Sequence, residues 1–106
     1  MDEAEKQLKR LTPYGTYINI TGTQYYQHFA PFSEGTVVDL VDEPDNPHDP
    51  LAIRVEINGE TVGYVANSEY TLIRQVKSAA DIKSFRFKQA EVMFILFDEW
   101  VIAKLI

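Results

Sequence analysis

Residues 51 to 65 read Leu51-Ala52-Ile53-Arg54-Val55-Glu56-Ile57-Asn58-Gly59-Glu60-Thr61-Val62-Gly63-Tyr64-Val65. Asn58-Gly59 is the decisive pair. A two-residue type I′ turn needs positive φ at both central positions, which Asn and Gly tolerate, and its twist matches that of the strands it joins. Both flanks are rich in β-branched residues. Pairing Ile57 with Glu60 sets Val55 opposite Val62, Ile53 opposite Tyr64 and Arg54 opposite Gly63. The segment predicts a β-hairpin.

Working outward, residues 17 to 21 alternate strictly, with Ile18 and Ile20 pointing one way and Asn19 and Thr21 the other. That is the pattern of a half-buried strand. A loop with Pro31 and Gly35 leads to a β-branched strand at 36 to 41. Residues 42 to 50 hold three prolines and four acids, which demands a loop. Residues 84 to 97 read as strand, first alternating Phe85 and Phe87 against Arg86 and Lys88, then apolar from 92 to 97. Asp98-Glu99 separates it from a last strand at 100 to 106. Two segments have helical spacing. One is 2 to 11, with Ala4, Leu8 and Leu11, stopped by Thr12-Pro13. The other follows a cap at Asn67 or Ser68 and carries Leu72, Ile73, Val76, Ala79 and Ala80. About six short strands with one or two helices and mostly hairpin connections predict a mainly β fold, a small antiparallel OB-like or SH3-like barrel. The two apolar C-terminal strands either close that barrel or pair at an exposed edge and dimerise.

The chain has 106 residues, 45% of them hydrophobic, which suits one folded domain. The absence of cysteine excludes a disulfide scaffold and a Cys-ligated zinc site. The net charge of −6 is unevenly placed: residues 11 to 53 carry six acids and no Lys or Arg, while the rest of the chain is balanced. Binding that wraps many phosphates needs cations, so extended duplex binding is not expected. Residues 11 to 33 are uncharged, but their threonines, amides and two prolines would leave polar groups unpaired in lipid. No membrane span and no signal peptide is expected, and the expected location is intracellular, in the cytoplasm.

Three features carry candidate chemistry. In the loop Asp42-Glu43-Pro44-Asp45-Asn46-Pro47-His48-Asp49-Pro50, the carboxylates, amide and imidazole are ligand types for a hard cation or for a hydroxyl-recognising pocket. The same residues also build tight turns through hydrogen bonds to the backbone. Gln24-Tyr25-Tyr26 ends the first strand. Continued alternation puts Tyr26 on the core face and Tyr25 on the polar face, where it would suit base stacking, unless Gly22 bulges the strand. Arg86 and Lys88, with Lys83, form a basic strand face that is either a solvated sheet surface or a phosphate contact. No P-loop, nucleophile elbow, paired histidine motif or cysteine nucleophile is present, so no catalytic residue is assigned.

The runs Thr21-Gly22-Thr23-Gln24-Tyr25-Tyr26, Glu43-Pro44-Asp45-Asn46-Pro47-His48-Asp49, Ala52-Ile53-Arg54-Val55 and Val62-Gly63-Tyr64 together resemble the HIRAN domain. That module occurs at the N-terminus of certain SWI/SNF-type DNA-remodelling helicases and as stand-alone or fused bacterial proteins. The likeness covers residues 16 to 80 and suggests a single HIRAN-like domain over 1 to 106. It implies an OB-like barrel with helices, no cofactor, and recognition of single-stranded DNA or DNA ends in a DNA-repair setting, with a helicase or nuclease as working partner. The terminal 3′ hydroxyl would sit in a pocket and the last bases would stack on aromatics.

Carried over by position, Tyr25 and Tyr26 serve bases and backbone, and Asn46 and Asp49 bind the end. His48 takes a place often held by an aromatic, and Tyr64 lines the pocket. Gln24 stands where helicase-linked members have a basic residue, which removes a phosphate contact. Asp45 stands where a neutral amide can occur. A carboxylate such as Asp49 accepts a hydrogen bond from a hydroxyl and repels a phosphate, so it selects a free 3′ hydroxyl.

Two other readings belong to different classes. One is a metal-dependent phosphoesterase or nuclease holding a divalent cation on Asp42, Glu43, Asp45, His48 and Asp49. The other is a protein-interaction adaptor that no longer binds DNA.

Overall fold

The computed structural model describes residues 3–67, 76–84 and 87–106. In chain order the elements are α1 (Glu3–Leu8), β1 (Tyr17–Thr21), a 3-10 helix (Thr23–Tyr25), β2 (Val37–Asp42), β3 (Ile53–Ile57), β4 (Glu60–Val65), β5 (Val76–Lys77), α2 (Ala79–Ile82), β6 (Gln89–Leu96) and β7 (Trp100–Leu105). Six strands follow one another around an antiparallel barrel as β4-β3-β2-β6-β7-β1, and β1 closes it by pairing with β4, Ile20 to Val65 and Thr21 to Tyr64. The fold is thus the mainly β barrel expected. Closure removes the open edges a flat sheet would expose, and β6 and β7 each have a neighbour on both sides. The C-terminal strands therefore complete the barrel.

The inner core gathers Ile18 and Ile20 of β1, Val38 and Leu40 of β2, Ile53 and Val55 of β3, Val62 and Val65 of β4, and Val101, Ala103 and Leu105 of β7. Alternation along each strand is what sends these residues inward. β1 is buried on both faces rather than one: Tyr17 joins a second apolar cluster with Leu11, Val76, Phe94, Leu96 and Ile102, against which Leu8 of α1 packs. Asn19, expected on a polar face, is only 8% exposed. A register shift in the β6–β7 ladder between Val92 and Phe94 switches faces, so Ala90 and Val92 fill the barrel while Phe94 and Leu96 fill the outer cluster. That switch makes residues 92 to 97 read as a continuous apolar run.

The hairpin turn forms as expected, with φ of 53° at Asn58 and 81° at Gly59. Its register does not. Ile57 pairs with Glu60 and Glu56 with Thr61, but a bulge then brings Val55 opposite Gly63 and Arg54 opposite Tyr64. Packing explains the extra residue. Val55 and Val62 are both buried in the barrel, and Gly63 lies so close to β1 that a β-carbon there would stand 2.8 Å from the backbone oxygen of Thr21.

Two further expectations are corrected. Val76 belongs to β5, which runs parallel to β1 with Val76 opposite Tyr17, and not to a helix. Helix starts at Ala79, where Ser78 Oγ accepts from Asp81 N and Asp81 Oδ2 accepts from Ser78 N, a capping box. Strand β6 begins at Gln89 rather than at residue 84. The expected helical residues Ser68, Leu72 and Ile73, and Phe85 and Arg86 of the expected strand, lie outside the described residues. No helix among the described residues is long and apolar enough to cross a membrane.

Candidate nucleic-acid interface

The loop from β2 to β3 is held at its base by backbone bonds, Glu43 N donating to Ala52 O at 3.0 Å and Ala52 N to Asp49 O at 3.1 Å. Asn46 organises its tip. Its Oδ1 accepts from His48 N (2.8 Å) and Asp49 N (3.0 Å), and its Nδ2 donates to Glu43 Oε1 (2.8 Å). These are the backbone-mimicking bonds that make Asn a turn residue. Asp49 Oδ1 accepts from Leu51 N (2.9 Å) and Oδ2 from Asn67 Nδ2 (2.6 Å). Asn67 Oδ1 in turn accepts from Ala80 N at 3.0 Å, so one amide ties the loop to α2. The bonds from Asn67 and Leu51 hold the Asp49 carboxyl below its ordinary pKa, since they favour the charged form.

Behind the loop lies an ion-pair network that the β3–β4 bulge makes possible by setting Arg54 beside Tyr64. Arg54 Nη1 donates to Glu43 Oε2 at 2.7 Å and its Nε to Glu56 Oε2 at 2.6 Å. The Tyr64 hydroxyl donates to Glu43, 3.1 and 3.2 Å from its two oxygens. Asn46, then Arg54 and Tyr64, lower the Glu43 pKa against its partial burial. The Tyr64 phenol is pushed up to about 12, by burial first and then by the Glu43 carboxylate that accepts its hydrogen bond.

A cavity of about 290 Å³ opens against these elements, lined by Asn46, His48, Asp49, Ala52, Tyr64 and Val65. Small-molecule sites span roughly 300 to 1,000 Å³, so this one suits a single sugar or base rather than a duplex. Tyr26 lies against Tyr64 of its wall, the two rings 6.5 Å apart and tilted by 43°. The tyrosine pair does not continue β1. Gly22 takes a left-handed φ of 71°, ends the strand and starts the 3-10 helix, with Tyr25 N donating to Gly22 O and Tyr26 N to Thr23 O. Tyr26 therefore leaves the core face and is 43% exposed, and Tyr25 stands 80% exposed.

Of the residues singled out from sequence, Asn46, His48, Asp49 and Tyr64 line one cavity, and Tyr26 touches it through Tyr64. Gln24 and Tyr25 are exposed on the neighbouring 3-10 helix, and Asp45 is exposed on the loop outside the cavity wall. The five ligands of the metal reading do not converge: Asp42 pairs with Lys83 Nζ (3.0 Å), Glu43 with Arg54, and Asp49 with Asn67. No cluster of three or more His, Asp or Glu suited to a metal occurs among the described residues. Lys83 of the expected basic face is turned to Asp42 and Ala52 O, while Lys88 is exposed.

The sequence pattern does not single out Arg54 or Asn67 as site residues. Arg54 sat opposite Gly63 in the simple hairpin register, so only the bulge reveals it. The hydrogen-bonding capacity of Asn67 was visible, but its partners are distant in sequence.

No curated protein and no solved structure matches the chain. The HIRAN domain family model matches residues 14–92, a span holding β1 to β5, the loop and every residue of the cavity wall. With most of its length so matched, the chain belongs to the HIRAN domain family, a family of nucleic-acid-binding modules.

Proposed function

We propose that this chain is a non-enzymatic module that binds single-stranded DNA by its free 3′ hydroxyl end. The observation that carries the reading is the convergence of Asn46, His48, Asp49 and Tyr64 on one cavity, with the Tyr26 ring against that of Tyr64 and Tyr25 exposed on the adjoining 3-10 helix. The terminal sugar enters the cavity and donates a hydrogen bond from its hydroxyl to a free lone pair of Asp49, whose two present bonds leave acceptor capacity. The last bases stack on the exposed tyrosines, a contact worth about 1 to 3 kcal/mol per base and indifferent to sequence. A 3′ phosphate is turned away, because the cavity wall carries a carboxylate and the nearby cations Arg54 and Lys83 are already paired with acids.

Fluorescence anisotropy with short labelled oligonucleotides tests this. Ends with 3′ hydroxyl bind, ends with 3′ phosphate bind more weakly, and the logarithm of affinity falls with that of salt at a slope of about −0.7 per phosphate touched, for one or two phosphates. Absence of binding at low salt and high micromolar protein, or equal binding of both ends, refutes the reading.

A further inference from the structure

Glu43 does not line the cavity, yet it touches two residues that do, Asn46 and Tyr64. A tyrosine hydroxyl has one proton and can offer a ligand either that proton or a lone pair. Here both Glu43 oxygens lie within 3.2 Å of the Tyr64 hydroxyl. Glu43 is ion-paired to Arg54 and has no proton of its own to give, so the direction of the bond is settled. Arg54 is itself clamped between Glu43 and Glu56, which leaves this group of three with one net negative charge to oppose an incoming phosphate.

We infer that Glu43 is a positioning residue that sets the specificity of the cavity: by accepting the Tyr64 hydrogen bond it leaves Tyr64 only lone pairs to present, so that the wall receives hydroxyl donors and rejects phosphate acceptors. This rests on the end-binding reading above. Without Glu43 the Tyr64 hydroxyl keeps Tyr26 as a side-chain neighbour but can turn to donate, and a phosphate oxygen becomes an acceptable partner. Asp49 supplies a second acceptor from the loop side.

Glu43→Gln tests it, because the amide keeps the shape and can donate to Tyr64 Oη, releasing the phenol proton. The ratio of the dissociation constants for 3′-phosphate and 3′-hydroxyl oligonucleotides falls on the order of fivefold, the worth of one hydrogen bond. In a Tyr64→Phe background the same substitution changes the ratio less than about twofold, because the device acts through that hydroxyl. A second measurement needs no DNA. Ultraviolet titration, with Tyr64 assigned by difference from Tyr64→Phe, shows its ionisation moving from about 12 toward the ordinary 10.0 in Glu43→Gln, although burial and Tyr26 keep part of the shift. If Glu43→Gln fails to fold, Tyr64→Phe alone serves: it weakens hydroxyl ends severalfold and leaves phosphate ends unchanged. An unaltered ratio in folded Glu43→Gln, an effect that persists in Tyr64→Phe, or an unmoved Tyr64 titration overturns the inference. Failure of the unsubstituted protein to bind either end refutes the end-binding reading instead, and the titration still judges Glu43.

Discussion

Replacing Gly63 by alanine probes the seam that closes the barrel. Its β-carbon would stand 2.8 Å from Cγ2 of Ile20, 2.8 Å from the backbone oxygen of Thr21 and 3.4 Å from Cγ2 of Thr23. Ile20 is fully buried, and Thr21 pairs with Tyr64 in the β1–β4 ladder, so neither neighbour can swing aside; the strands must part. Overpacking of this kind costs about 1 to 3 kcal/mol, and the backbone contact places Gly63→Ala at the upper end.

For 106 residues the unfolding entropy near the midpoint is about 0.22 kcal/mol/K, so the melting temperature falls by about 5 to 14 °C. Calorimetry or thermal circular dichroism measures it, with Gly35→Ala as the comparison. At Gly35 nothing lies within 4 Å and only the left-handed φ of 89° is at stake, a cost of about 1 to 2 kcal/mol. Because the parted strand carries Tyr64, oligonucleotide binding weakens in Gly63→Ala and not in Gly35→Ala. A melting point within about 2 °C of the unsubstituted protein refutes the account of close strand approach.

Other outcomes follow from the site. Tyr25→Ala weakens single-stranded DNA binding by about 1 to 3 kcal/mol, measured by anisotropy, with an unchanged melting point because the ring is 80% exposed. Asn46→Ala removes three hydrogen bonds from the loop and destabilises the protein by about 1 to 3 kcal/mol, with faster amide exchange at His48 and Asp49. Glu43 and Asp49 are depressed below their ordinary 4.5 and 3.8, so the stability they add is complete above about pH 5 and is lost as pH falls through their folded values. Acid unfolding of Glu43→Gln accordingly has a smaller pH dependence below about pH 5. Tyr64, raised to about 12, has the opposite sense: its contribution holds below pH 10 and is lost as pH climbs toward 12, which Tyr64→Phe abolishes.

The legibility of the chain tracks the range of the interactions. Asn58-Gly59 announced the hairpin because its two φ angles are a local stereochemical demand. The alternation of Ile18 and Ile20 placed β1 inward correctly, yet it misread Asn19, because α1 and the outer cluster that cover the second face come from elsewhere in the chain. The prolines and acids of residues 42 to 50 marked a loop, and Asn46 does bind its backbone there. Alternation sets Tyr25 and Tyr26 at the end of β1, whereas Gly22 ends the strand before them, since a left-handed glycine permits either a bulge or a helical turn and alternation cannot choose between them.

Periodicity, turn chemistry and the placing of charge were thus written in the order of residues: a small antiparallel barrel, an acidic loop, and no cation between residues 11 and 53. Each depends on neighbours a few positions apart, which a linear reading sees. Closure of β1 on β4, the bulge that sets Arg54 beside Tyr64, and the contact of Glu43 with both depend on three strands meeting around Ile20 and Gly63. Where the barrel core fills without overlap decides the register, and the register decides which polar groups share a wall. The type of each site residue was therefore local information, whereas whether Tyr64 gives or takes a hydrogen bond was decided by packing.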